Sequence, residues 1–190
     1  MYQIQLITSR ATVAALAIAL TLNLAACTAG DDGAQPGAGP ASSLSAPSVD
    51  AEDSRARAST LAAYQDYVRA YVTASNEGDY NVRLDKFVAD PALLTVRQDL
   101  LIKYQQGFVT KGEPTSTPKV SKVDTSRRPF TAEVEDCFDT GRWDVVSKKT
   151  GKSVRTTRQA TRYVVIAKAE LFDDGQWRIR EVNAQRERPC

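Results

Sequence analysis

Alternation of apolar and polar residues in the second half of this 190-residue chain predicts a sheet and constrains the fold more than any other feature. In the stretch PFTAEVEDCF, Phe130, Ala132, Val134 and Phe138 fall on one face, and threonine and glutamate fall on the other. A period of two residues is that of a β-strand with one buried face. Cys137 has the parity of the polar face.

Further strands follow. One begins at Trp143 and leads to a turn at Thr150-Gly151. The stretch RYVVIAKAELF is apolar on both sides in its first half, which predicts a central strand. Asp174-Gly175 separates that stretch from WRIREV and is a typical hairpin signal. We therefore expect an antiparallel meander.

Helical spacing replaces this pattern nearer the N-terminus. One helix is predicted from Ser59 to a stop at Gly78, a second from about Val82 to Val88, and a third from Pro91 to about Tyr104. The first carries an apolar stripe made of Leu61, Tyr64, Val68, Tyr71 and Val72. The candidate core residues of the third are Leu93, Leu94, Leu100 and Leu101. Helices followed by strands predict an α+β fold, with N-terminal helices packed on one face of a curved antiparallel sheet.

The N-terminus has the pattern of an export signal. MYQIQLITSR contains Arg10 and no acid, and an uncharged run of about fourteen residues follows it. Such a run suits a signal-peptide core and is too short to cross a bilayer. Leu24-Ala25-Ala26-Cys27 then resembles the bacterial lipobox, which implies cleavage between Ala26 and Cys27 and acylation of Cys27. The alternative is a plain secretory signal followed by a chance cysteine.

The segment after Cys27 is predicted to be a disordered linker. It is rich in Gly, Ala, Pro and Ser and has no aromatic residue, so it cannot bury enough surface to fold. We therefore divide the chain into a signal peptide (1–26), a lipidated N-terminus with its linker (27–53) and one domain (54–190). Acyl chains on Cys27 would insert into membrane lipid and hold an exported domain on the outer face of the cytoplasmic membrane.

The chain has three cysteines and no histidine. With Cys27 acylated, Cys137 and Cys190 are the only thiols left in a compartment where disulfides persist, which predicts a bond between them on the polar side or edge of the sheet. A reactive thiol or a metal site is the alternative. Without histidine a thiolate lacks its usual activator, and two cysteines fall short of four zinc ligands. No metal and no cofactor is predicted.

The order of elements resembles the nuclear-transport-factor-2-like fold, also called the polyketide-cyclase-like cone, in which a curved sheet wraps the helices and leaves a pocket. More narrowly, GFVTKGEP, VEDCFDTGRWDVV, KKTGK and a tryptophan hairpin ending in cysteine resemble a group of actinobacterial secreted proteins and lipoproteins of unknown function. This likeness covers about residues 59–190. It implies a location and a shape, and it implies no activity.

Enzymes of that fold carry acids and bases in the pocket, so carboxylates near strand and helix ends are candidates. They are Asp66, Asp85, Asp124, Asp136 and Asp139. Alternation turns Asp136 inward, which makes it a candidate base; an aspartate at a turn or edge, bonded to backbone, is the favoured alternative. The candidate pocket aromatics are Tyr64, Tyr71 and Trp143, for which a packed core without a ligand is the favoured alternative.

Charge is uneven along the chain. From Ser54 onward there are 24 bases and 18 acids, whereas the whole chain carries only +2, which gives no argument for a nucleic-acid partner. One segment is especially basic and holds Asp144 as its only acid. Its bases are Arg142, Lys148, Lys149, Lys152, Arg155, Arg158 and Arg162. This basic segment predicts either a face toward anionic lipid headgroups or acidic wall polymers, or a solvated hairpin. We favour the solvated hairpin.

No constellation of residues indicates a reaction. We therefore expect a non-catalytic binding or interaction module whose partner is an envelope protein or a small apolar ligand. The alternatives are a pocket enzyme of hydrolase or isomerase type that uses an inward Asp, and a structural subunit of an envelope assembly. A roomy pocket with two converging polar groups favours the enzyme, and a pocket filled by aromatic rings favours the module.

Overall fold

The computed structural model describes residues 48–156 and 158–190. The predicted signal peptide, the cleavage site between Ala26 and Cys27, the lipidation site Cys27 and the linker up to residue 47 lie outside this range. Within it, no helix combines the length and the hydropathy needed to cross a membrane.

The first helix, α1, spans Val49–Glu77. It begins ten residues before the predicted start, because Ser48 caps it: the Ser48 side chain accepts a hydrogen bond from the backbone N–H of Ala51 at 3.3 Å. Residues 49–53, which we assigned to the linker, are therefore helical. The helix ends where predicted, at Gly78, whose φ of +72° is readily adopted by glycine.

The predicted second helix, Val82–Val88, is wrong. The segment makes a single turn, in which the N–H groups of Phe87 and Val88 bond to the Leu84 carbonyl. The backbone then pairs with a strand instead, since Ala89 donates to the Ile179 carbonyl and Ile179 donates to the Phe87 carbonyl, both at 2.9 Å. Leu84 and Val88 are buried as a result.

Helix α2 spans Ala92–Gln105, close to the predicted bounds. Two of the four predicted core residues of α2 are correct. Leu93 and Leu100 are buried, but Leu94 and Leu101 are exposed. The buried stripe instead joins Leu93, Val96 and Leu100, as a helical period requires.

In the part of the chain that the structure describes, six strands form two antiparallel sheets. They are β1 (Phe108–Gly112), β2 (Thr115–Asp124), β3 (Thr131–Asp139), β4 (Trp143–Ser147), β5 (Arg162–Leu171) and β6 (Trp177–Gln185). One sheet has the order β2-β3-β5-β6, and β1 pairs with β4 in the other. The predicted inner place of β5 and its hairpin to β6 are confirmed. The simple meander is wrong, because β4 leaves the larger sheet to pair with β1.

The larger sheet bends around the helices. Register shifts between Val120 and Lys122 and between Lys168 and Ala169 mark irregularities of the kind that increase local twist and bend a strand. The predicted inner face of β3 is buried against the helices, and Cys137 lies on the opposite face. Helices packed on curved antiparallel sheets confirm the predicted α+β class.

The chain end crosses the outer face of the sheet. The sulfurs of Cys137 and Cys190 lie at disulfide distance, 2.06 Å, and their Cα atoms are 5.7 Å apart. Just before Cys190, the Arg188 carbonyl accepts a hydrogen bond from the N–H of Val164 at 2.9 Å. Val164 pairs with Cys137 and therefore shares its outward face, yet it is only 4% exposed. The chain end thus covers an apolar residue outside the main core.

Gly112, the last residue of β1, provides a test of this architecture. It has a φ of +86°, and a Cβ atom there would lie 2.0 Å from the Arg142 carbonyl oxygen. We expect Gly112→Ala to lower the free energy of unfolding by at least about 2 kcal/mol, because a left-handed conformation costs about 1–2 kcal/mol for a residue with a Cβ and the clash adds to it. Urea unfolding of the variant measures the change.

Gly151→Ala is the matched control. Gly151 has a φ of +69° with open space around it, so this variant should lose only about 1 kcal/mol. Equal losses in the two variants would contradict the close approach of β1 to Arg142.

Candidate functional site: an aromatic cavity

A cavity of about 520 Å³ lies between α1, α2 and the concave side of the sheets. This volume is within the range of small-molecule sites. Six aromatic rings line it, those of Tyr64, Tyr67, Tyr71, Phe138, Trp143 and Tyr163. Three of the predicted pocket residues, Tyr64, Tyr71 and Trp143, are among them. Tyr64 and Trp143 are also buried members of the hydrophobic core, so the same rings pack in the core and border the open space.

Helix α1 supplies one wall. Tyr64, Tyr67 and Tyr71 follow a spacing of three and four residues, which places them on one helical face. The ring centroids of Tyr67 and Tyr71 are 6.2 Å apart, and Trp143 meets Tyr71 edge-on at 5.8 Å. The Trp143 indole N–H also donates to the Asn76 side chain at 3.0 Å. These contacts hold the rings in place around the open space.

Asp136 faces inward, as alternation predicts, and is fully buried. It occupies neither a turn nor an edge, because β3 lies between β2 and β5. Its carboxylate accepts hydrogen bonds from the Tyr64 hydroxyl at 3.0 Å, the Ser116 hydroxyl at 2.7 Å and the Thr117 backbone N–H at 2.7 Å. Tyr64 lines the cavity and Asp136 does not. The carboxylate therefore lies behind the cavity wall, out of reach of a ligand.

The other four candidate carboxylates have local partners. Asp66 pairs with Arg69 at 2.6 Å, and Asp85 pairs with Arg83 at 3.3 Å. Asp124 accepts a bond from the Ser126 N–H, and Asp139 accepts one from the Gly141 N–H. None of the four lines the cavity. Asp66 and Asp85 therefore form surface ion pairs, and Asp124 and Asp139 stabilise turns.

A cluster of polar side chains at the cavity wall, formed by Tyr71, Asp99 and Lys103, was not predicted from the sequence. The Tyr71 hydroxyl donates to the Asp99 carboxylate at 2.6 Å, and the Lys103 ammonium donates to the same carboxylate at 2.6 Å. Lys103 also donates to the Tyr71 oxygen at 2.9 Å. The spacing of four residues between Asp99 and Lys103 is readable in the sequence as a helical ion pair. Its meeting with Tyr71 depends on tertiary structure.

Two arginines also line the cavity. Arg155 donates to the carbonyls of Thr140 and Trp143 and lies 3.2 Å from an Asp144 oxygen. The Arg186 guanidinium carbon lies 4.6 Å from the centroid of the Tyr163 ring. Of the seven bases in the predicted basic segment, only Arg155 lines the cavity. Among the residues that the structure describes, no three Cys, Asp or Glu side chains converge as a metal site.

Comparison with known proteins yields weak likeness only. No protein-family model and no curated protein matches the sequence. Among solved structures, the intermembrane-space region of the chloroplast protein ARC6 is 15% identical with a TM-score of 0.44, covering 73% of this chain and 98% of its own. A ketosteroid isomerase-like protein from Erwinia carotovora atroseptica is 15% identical with a TM-score of 0.38, covering 64% of this chain and 92% of its own.

The tyrosine wall predicts instability at alkaline pH. Burial, together with the nearby Asp136 or Asp99 carboxylate, raises the pKa of Tyr64, Tyr67 and Tyr71 above the ordinary value near 10. Below about pH 10 both states keep these phenols protonated. Above it the unfolded chain releases protons that the folded domain retains, so the free energy of unfolding falls by up to about 1.4 kcal/mol per pH unit for each phenol.

Tyr67→Phe tests this predicted alkaline instability, because the hydrogen bonds to the Asp136 and Asp99 carboxylates come from other residues and stay intact in the variant. We expect its unfolding free energy, measured in urea between about pH 9 and pH 11, to fall with pH less steeply than that of the native chain. An unchanged slope would show that Tyr67 ionises alike in both states.

Proposed function

We propose that this chain is a membrane-anchored surface lipoprotein whose domain is a non-catalytic module that binds a small, largely apolar molecule in the aromatic cavity. One observation carries the proposal: the rings surround about 520 Å³ of open space and leave it accessible. Aromatic walls with a few polar groups are the usual composition of a small-molecule site.

The polar groups at the wall favour binding over catalysis. The Asp99 carboxylate already accepts bonds from Tyr71 and Lys103. Asp136 is satisfied by three donors and lies behind Tyr64. A general base must contact the proton that it removes, and Asp136 is too deeply buried to do so.

The proposed location depends on the N-terminal sequence. The lipobox-like Leu24-Ala25-Ala26-Cys27, the apolar run before it and the resemblance to actinobacterial lipoproteins support acylation of Cys27. The two-helix cone arrangement supports membership of the nuclear-transport-factor-2-like fold. A lipid anchor would keep the cavity close to the outer face of the cytoplasmic membrane, within reach of ligands that partition into lipid.

Filling the mouth of the cavity tests ligand binding. Ala184 lines the cavity from β6, so Ala184→Trp should occupy it and weaken binding of the neutral fluorescent probe N-phenyl-1-naphthylamine by about tenfold or more. Asn183→Trp is the matched control, because the neighbouring side chain points to the other face of the strand. Fluorescence titration measures both. Equal affinities in the two variants would contradict binding in this cavity.

Replacing Cys27 tests the anchor. We expect Cys27→Ser to abolish metabolic labelling with palmitate and to remove the chain from the membrane fraction, because the thiol is the proposed acylation site. The double variant Cys137→Ser with Cys190→Ser should retain label and membrane association. Label that persists in Cys27→Ser would refute lipidation at this residue.

A further inference from the structure

We infer that the ligand is an amphipathic anion, whose acidic group binds Arg186 at the mouth of the cavity while its apolar body lies among the aromatic rings. This rests on the proposed function and specifies the chemical class of the molecule bound. The acidic group is a carboxylate or a group of similar charge, and the body is an alkyl chain or ring system.

The charge of the cavity lining favours an anionic ligand. Lys103, Arg155 and Arg186 line the cavity with Asp99 as their only acid. Lys103 pairs with Asp99 and Arg155 pairs with Asp144. Within residues 48–156 and 158–190, no carboxylate lies within ion-pair distance of Arg186. The cavity therefore presents one uncompensated guanidinium, which attracts an anion and repels a cation.

Contacts of its side chain and of its backbone position Arg186. Its guanidinium packs over the Tyr163 ring, and its backbone N–H bonds to the Ala184 carbonyl at 3.1 Å. Two residues further on, the Arg188 carbonyl bonds to the Val164 N–H. A guanidinium held in this way offers a planar set of donors that matches a carboxylate or phosphate.

An apolar surface lies beside Arg186 in the cavity lining. Val182 and Ala184 line the cavity from the inner side of β6, and both are exposed, Val182 by 36%. They lie along the strand that leads to Arg186. A ligand whose acidic group contacts Arg186 would bury these side chains with its body, and each apolar area removed from water favours binding.

Three probes with the same alkyl chain test this inference by calorimetric titration of the full chain bearing Cys27→Ser. They are dodecanoate, dodecanol and dodecyltrimethylammonium, used below their micellar concentrations. We expect dodecanoate to bind about tenfold more tightly than dodecanol, and the cation to bind most weakly. Added salt should weaken the binding of dodecanoate and leave that of dodecanol unchanged.

Arg186→Gln should lower the affinity for dodecanoate by about tenfold and leave that for dodecanol unchanged, whereas Arg186→Lys should retain part of the preference. Arg188→Gln is the matched control, because Arg188 pairs with Glu135 outside the cavity. Circular dichroism checks the fold of each variant. Dodecanoate binding that is equal in Arg186→Gln and native protein overturns the inference.

The probes also separate this inference from the proposed function. If dodecanoate and dodecanol bind equally to the native chain, the anion preference is wrong and cavity binding is supported. If no probe binds and N-phenyl-1-naphthylamine also fails to bind, both the proposed function and the inference are overturned.

Discussion

The buried carboxylate of Asp136 is the interaction on which the rest of the domain depends. Through Tyr64 it bonds to α1, and through Ser116 and Thr117 it bonds to β2, while its own backbone lies in β3. A buried polar group is costly unless donors satisfy it, so these hydrogen bonds favour the observed arrangement of α1, β2 and β3. It holds Tyr64 at the cavity wall and thereby sets where the first of the rings lies.

The aromatic cavity exists because the two sheets diverge. If β4 had continued the meander beside β3, its tryptophan would have packed into one continuous layer. Instead β4 pairs with β1, and Trp143 meets Tyr71 of the helix from a second direction. The space between these walls is bordered by aromatic rings and by charged side chains, among them Asp99 and Lys103 of α2.

Residue patterns predicted both described helices and four of the six described strands, but they missed β1 and β2. Alternation identified β3 and the inward direction of Asp136. The apolar stripe included Tyr64, Val68 and Tyr71 of the cavity wall but omitted Tyr67. Patterns within one segment carry no information about partners distant in sequence, so they did not reveal that β1 pairs with β4 or that Tyr71 meets Asp99. The predicted helix at Val82–Val88 is wrong for the same reason, because the backbone at the end of that segment bonds to β6. Arg186 lacked any local signal.

The crossing of the chain end over β5 has a consequence for how the protein acquires its site. Tyr64 and Arg186 border the same cavity and are separated by about 120 residues, so the cavity closes only when distant parts of the chain have met. Helix α1 emerges from the ribosome before the strands, so its tyrosines meet the opposing rings of Phe138, Trp143 and Tyr163 only later, and β6 adds the last part of the wall. The cavity is therefore complete only once β6 has packed beside α1, and a chain that stops before β6 lacks one of its walls.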